Sequence, residues 1–142
     1  MTDYREIYLH NIYEVVLSRT STFSFSLQKL HHHNIFDRPF GIITASNPNN
    51  ILLSDDENSQ RNQQLYKDLN GYETLEAQGC YKGHCEKGYL VFEIGLDTAL
   101  VLGRRCDQYA VFYSDGSCLK YVECATKKVI IKKKIDPKGS KA

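Results

Sequence analysis

The polar side chains with the most chemistry to offer are gathered between residues 44 and 62, where the sequence reads TASNPNNILLSDDENSQRN. Arg61 carries a planar guanidinium of the kind that takes a carboxylate or phosphate through two parallel hydrogen bonds. Asn47 and Asn58 bring donors and acceptors that orient a bound group. Thr44, Ser46 and Asn62 add two hydroxyls and an amide, and Glu57 adds a carboxylate. Such a set suits a small polar ligand, anionic or amide-bearing, or a protein segment. Part of it has a structural reason. Asn-Pro-Asn-Asn is ordinary turn chemistry, and Ser54 with Glu57 three residues on is a capping box. Pro48, Ser54 and Glu57 are thereby explained, whereas Asn47, Asn58 and Arg61 are not.

The elements that must position these residues follow from periodicity. FGIITAS (40 to 46) reads as a strand ended by Asn47-Pro48, since proline favours extended geometry before it and cannot donate to a ladder. A helix is expected over 55 to 69, stopped at Asn70-Gly71. Leu65, Tyr66 and Leu69 define its sheet-facing side, and stepping back by three or four residues leads to Asn62, Arg61 and Asn58. These would lie over the sheet end from which Thr44, Ser46 and Asn47 emerge, beside a helix N-terminus whose free N–H groups favour anions.

Further strands are expected at 12 to 17, 21 to 27, 72 to 81 and 88 to 94, the last two joined around Lys82-Gly83-His84. A second helix covers 96 to 106. Two strands meeting at Asp115-Gly116 follow, then a last one with its apolar run at 129 to 131. From residue 40 the order is strand, helix, strand, strand, helix, strand. That pattern predicts an α+β fold with a ferredoxin-like βαββαβ core, an antiparallel sheet with two helices on one face, plus extra N- and C-terminal strands.

With 142 residues, 42% of them hydrophobic, the chain predicts one domain over 1–142. No run approaches the roughly 20 apolar residues of a membrane span, and the opening MTDYREIYLHNIYEVV is unlike a signal peptide, so a cytoplasmic protein without membrane contact is expected. Five cysteines, an odd number, predict reduced thiols. Cys80, His84 and Cys85 lie close together, but neighbouring His and Cys chelate poorly and no Cys-x-x-Cys pair is present, so no metal is expected. Neither Gly-x-x-x-x-Gly-Lys nor Gly-x-Gly-x-x-Gly occurs, and no cofactor is implied.

The net charge of +1 conceals a lysine-rich segment over 127–142, with seven lysines against Asp136; the remaining body sums to -5, from 11 basic and 16 acidic residues. Lysines on an edge strand discourage pairing with other chains.

FGIITASNP, SDDENSQRNQQL and LGRRCDQYAVFY together resemble the bacterial domain-of-unknown-function family 3293. That family shows an Ile-Thr-Ala-x-Asn-Pro strand exit, a Glu-Asn-x-x-Arg-Asn/Gln helix and an Arg-Arg-Phe-Gly-Gln-x-Ala-like segment. The resemblance spans about residues 40 to 115 and implies a role for Thr44, Asn47, Pro48, Glu57, Asn58, Arg61, Asn62 and Gln108. It brings no activity with it. Where the family has Trp-x-Glu-x-Ser, this chain has His84-Cys85-Glu86-Lys87-Gly88, matching only the glutamate. Cys106-Asp107-Gln108 stands where Phe-Gly-Gln is common.

Three function classes are compatible with these residues. The leading one is a binding or regulatory module around Asn47, Asn58 and Arg61. The alternatives are a small enzyme using Glu57 or Glu86 as base with Arg61 as electrostatic stabiliser, and a weak nucleic-acid binder using the lysine tail and exposed Tyr81, Tyr113 and Tyr121.

Overall fold

The computed structural model describes residues 3–31 and 33–135. Asp3 caps a short helix, α1 (Tyr4–His10), its carboxylate accepting from Glu6 N at 3.2 Å. Two strands follow, β1 (Ile12–Ser18) and β2 (Ser21–Phe25), and then β3 (Phe40–Ile43). The helix expected after it is α2 (Asp55–Asp68). Its capping box is formed: Ser54 Oγ accepts from Glu57 N, and Glu57 Oε1 accepts from Ser54 N, both at 3.1 Å. The chain continues through β4 (Thr74–Tyr81), β5 (His84–Phe92), α3 (Leu96–Arg105), β6 (Ala110–Ser114), β7 (Cys118–Glu123) and β8 (Val129–Lys134).

The eight strands among the described residues join one antiparallel sheet in the order β2-β1-β4-β5-β3-β6-β7-β8. Strands spaced by about 4.8 Å would set β1 and β6, four places apart, nearly 20 Å from each other in a flat sheet. Yet the rings of Tyr13 and Phe112 lie 5.0 Å apart, and those of Phe25 on β2 and Phe112 lie 5.7 Å apart. The sheet is therefore curled into a half-barrel. The α+β class and the antiparallel sheet agree with expectation. The terminal strands, whose placement periodicity leaves open, extend both edges of the sheet, and among the described residues a third helix, α1, precedes β1.

Strand alternation divides the apolar residues between two cores. On the outer face Leu65, Leu69 and Leu100 pack against Ile43, Val91, Val111 and Val122. On the concave face Tyr13, Phe25, Phe40, Leu90, Phe112 and Tyr121 fill the interior of the curl.

Several local expectations are corrected. Tyr66 is 56% exposed and lies beside Tyr89, because Asn62, Leu65 and Leu69 occupy the sheet-facing stripe of α2 and Tyr66 falls to its flank. Tyr113 and Tyr121, expected to be exposed, are buried at 7% and 2%. Their ring faces belong to the two cores, so neither is open for stacking nucleic-acid bases. The lysines of β8, Lys132 to Lys134, are exposed on an edge strand; the tail beyond Ile135 and His32 lie outside the described residues.

The expectation of reduced thiols also changes, because Cys80 and Cys85 form a disulfide. A tight two-residue turn, Lys82-Gly83, both at positive φ, sets Tyr81 opposite His84 and hence Cys80 opposite Cys85, with 4.1 Å between Cα atoms. The turn is tighter than expected, and β5 starts at His84. Among the described residues no helix is long and apolar enough to cross a membrane.

Candidate functional site

The junction between β3 and α2 is a closed polar network. Gly88 starts it: a Cβ there would run into Ile43 O and Thr44 Cα, so only glycine lets β3 and β5 approach this closely. That approach brings the Lys87 carbonyl within reach of Thr44 Oγ1, Ser46 Oγ and Asn62 Nδ2, all of which donate to it. Asn62, only 7% exposed, also accepts from Ala45 N at 2.8 Å and donates to Ser46 Oγ at 2.9 Å. Arg61 donates through Nε to Ala45 O at 2.6 Å and through a terminal nitrogen to Cys106 O at 2.9 Å. Gln108 Nε2 donates to Ser46 O at 2.8 Å. Backbone that leaves the sheet has lost its ladder partners, and these side chains replace them.

Asn47 sits at the centre of the junction in the left-handed region, at φ 49, a conformation asparagine tolerates better than most residues. Its N–H donates to Asn58 Oδ1 at 2.8 Å, and its Oδ1 accepts from Asn58 Nδ2 and Leu53 N, both at 2.9 Å. With the carbonyl end so occupied, the amide nitrogen is aimed at β5, where it donates to Glu86 Oε2 at 2.9 Å. The expected polar cluster is thus the wall that orients Glu86.

Glu86 faces a cleft of about 400 Å³ between α1 and the concave face of the sheet, a size that suits a small molecule. Helix α1 is fixed across the cleft by stacked rings: Tyr4 on Tyr109 at 3.9 Å and Tyr8 on Tyr121 at 4.1 Å. Asn50 Nδ2 donates to Tyr4 Oη at 2.9 Å and Asn11 Nδ2 to Tyr121 Oη at 3.1 Å. Gly79 on β4 makes room, since a Cβ there would lie 3.0 Å from both Asn11 Nδ2 and Tyr13 Cε1.

Burial pushes the Glu86 carboxyl above its ordinary value, while the hydrogen bond from Asn47 partly opposes that shift. Burial likewise raises the phenols of Tyr8, Tyr13 and Tyr121, which stay protonated as hydrogen-bonding groups. Glu57 differs: hydrogen bonds from the Ser54 backbone and hydroxyl hold it below the usual range. A half-buried carboxylate among neutral phenols can bind a donor or exchange a proton.

Of the residues expected at a site, Thr44, Asn47 and Gln108 line this cleft. Ser46, Asn58, Arg61 and Asn62 stand behind them in the junction, and Glu57 remains in its cap. Tyr4, Tyr8 and Asn11 were not legible as site residues, because nothing local in a seven-residue helix shows which sheet face it will cross. Glu86 carried one signal, the glutamate matched in the family resemblance. Cys80 and Cys85 are joined to each other, and no three His, Cys, Asp or Glu side chains converge among the described residues.

Fold and cleft together define an α+β protein whose curled antiparallel sheet encloses a polar and aromatic cleft on its concave side. The sequence profile described as "Protein of unknown function (DUF3293)" matches residues 43–111, and over that span the chain is similar to this family. The match runs from the end of β3 into β6, so it contains the junction, both outer helices and Glu86, while α1, β1, β2, β7 and β8 lie outside it. No curated protein and no solved structure is significantly similar to the chain.

Proposed function

We propose that this protein is a binding module that takes a small polar ligand into the cleft between α1 and the concave face of the sheet. The observation that carries this reading is the relay Asn58–Asn47–Glu86, in which two fixed amides hold a partly buried carboxylate towards the cleft. In this reading Glu86, Asn47, Thr44 and Gln108 contact the ligand. Ser46, Asn58, Arg61 and Asn62 position them, and Glu57 serves the helix. We further read β4-β5-β3-β6 with α2 and α3 as a ferredoxin-like unit widened at both edges.

The test is a thermal-shift screen of the full chain against metabolites, repeated with Glu86→Gln and Tyr4→Leu. A ligand whose stabilising shift disappears in both variants, while each still unfolds cooperatively, supports the cleft. Full shifts retained in both would place binding elsewhere.

A second reading, a small acid–base enzyme, is favoured by the raised titration of Glu86. The base would then be Glu86, with the phenols of Tyr13 and Tyr121 near developing charge, because Arg61 is engaged by two backbone carbonyls. Turnover of a bound ligand that Glu86→Gln abolishes without abolishing binding distinguishes it. A cytoplasmic address belongs to the same proposal. In that compartment the thiol pool would hold Cys80 and Cys85 reduced, which alkylation of freshly lysed cells would reveal.

A further inference from the structure

Resting on the cleft-binding reading, we infer that the cleft selects an organic ammonium ion, its protonated amine at the free oxygen of Glu86 and its apolar body against the tyrosine rings. Glu86 Oε2 is held by Asn47, and among the described residues none donates to Oε1. A partly buried carboxylate without a counter-charge is costly, and a cation at its open side offsets that cost.

The other groups around the cleft agree with this choice. Among the described residues that line it, none is lysine or arginine. Tyr4 and Tyr8 on α1, Tyr13 on β1, Tyr81 on β4, Tyr109 just before β6 and Tyr121 on β7 contribute phenols. On the strand of Glu86 itself, His84 stands exposed at the rim and Lys87 projects from the opposite face. The faces of Tyr4, Tyr8 and Tyr121 are taken up by stacking on neighbouring rings, so these residues offer a ligand their edges and their protonated hydroxyls, whose oxygens accept from an ammonium. Lys82 Nζ lies 5.3 Å from the centre of the Tyr81 ring but Lys82 does not line the cleft, so an anion would meet the carboxylate with no cationic side chain in the wall to balance it. The two features of the sequence that favour anions are engaged elsewhere: Arg61 holds backbone carbonyls, and the N-terminus of α2 is closed by Ser54 and Glu57.

The experiment is calorimetric titration of the full chain with three compounds of similar shape and different charge: tyramine, neutral 4-ethylphenol and anionic 4-hydroxyphenylacetate. Tryptamine and spermidine are added to sample size. At least one amine should bind roughly tenfold or more tighter than the neutral and anionic compounds. Glu86→Gln should remove that preference while leaving the weak binding of 4-ethylphenol in place. Ile7→Lys, which puts an ammonium into the cleft wall without altering Glu86, should abolish amine binding too. Affinity for the amine should rise with pH through the titration of Glu86. If 4-ethylphenol or the anion binds as tightly as the amines, the ammonium inference falls and the cleft reading stands. If no compound of the panel binds at millimolar concentration, both fall. Amine binding unchanged in both variants would overturn the assignment to this cleft.

Discussion

The side-chain amide of Asn47 donates to Glu86 Oε2 at 2.9 Å, so the residue at which the chain turns away from β3 fixes a carboxylate on β5, 39 positions along the sequence. Because the carbonyl end of the same amide is held by Asn58 and Leu53, the direction of the bond is set by the junction rather than by Glu86.

Substitution of Asn47 separates its two roles. Asn47→Gly keeps the left-handed backbone and loses the amide, whereas Asn47→Ala loses the amide and adds strain at φ 49. The alanine variant should be less stable than the glycine variant by about 1 kcal/mol in urea unfolding. Both should titrate Glu86 at higher pH than the unsubstituted protein, because the Asn47 bond is what lowers it. Carboxyl NMR titration measures this.

Asn62 should be the most sensitive polar residue of α2. Asn62→Ala removes the acceptor of Ala45 N and a donor to both Ser46 Oγ and Lys87 O in a buried setting. Equilibrium unfolding should show a loss of about 1–3 kcal/mol, the usual cost of leaving a buried group unpaired. Gln64→Ala, on the exposed side of the same helix, should change little.

Glu86 should cost stability at neutral pH. Its folded titration lies above the ordinary 4.5, so the folded state binds more protons than the unfolded state between the two values. Stability contributed by this group therefore falls as pH rises from about 4.5 through the raised value. Glu57 and Asp115, both lowered by hydrogen bonds, act with opposite sign and lose their contribution as pH falls. Glu86→Gln should raise the melting temperature at neutral pH and remove the decline attributable to Glu86. An unchanged melting temperature would mean that the carboxylate is not desolvated.

Thiol chemistry gives an independent check of the hairpin register. Cys106 and Cys124 are buried, and burial pushes each thiol up to about 11, so neither should alkylate readily in the native protein. Cys118, partly exposed, should be the one fast site in the oxidised protein. Unfolding without reductant should open three thiols, and unfolding after reduction all five. Mass spectrometry of a digest should then recover Cys80 linked to Cys85. A linkage to any other cysteine would contradict the register of β4 and β5.

Local chemistry was legible from the sequence. Ser54 and Glu57 announce the start of α2, Asp115-Gly116 the turn between β6 and β7, and the spacing of Leu65 and Leu69 the buried stripe that points back to Asn62, Arg61 and Asn58. Each of these signals lies within a turn or two of chain, where hydrogen-bond geometry and periodicity repeat regularly. Their purpose was not legible. Arg61 and Asn62 read equally well as ligand contacts or as substitutes for missing ladder bonds, and only the path of β3 away from the sheet decides between these uses.

The sequence by itself determined the α+β class, most element positions and the polarity of the β3–α2 junction, because these depend on residues close together along the chain. The tertiary structure alone decided that eight strands curl into one half-barrel and that α1 crosses the concave face. It also decided that Tyr8 meets Tyr121, Asn11 bonds Tyr121 across 110 residues of sequence, and Cys80 faces Cys85. The physical reason is that sheet curvature and strand register arise from the packing of both faces together. Tyr13 and Phe25, partners on adjacent strands, can reach Phe112 only when the sheet has curled around them.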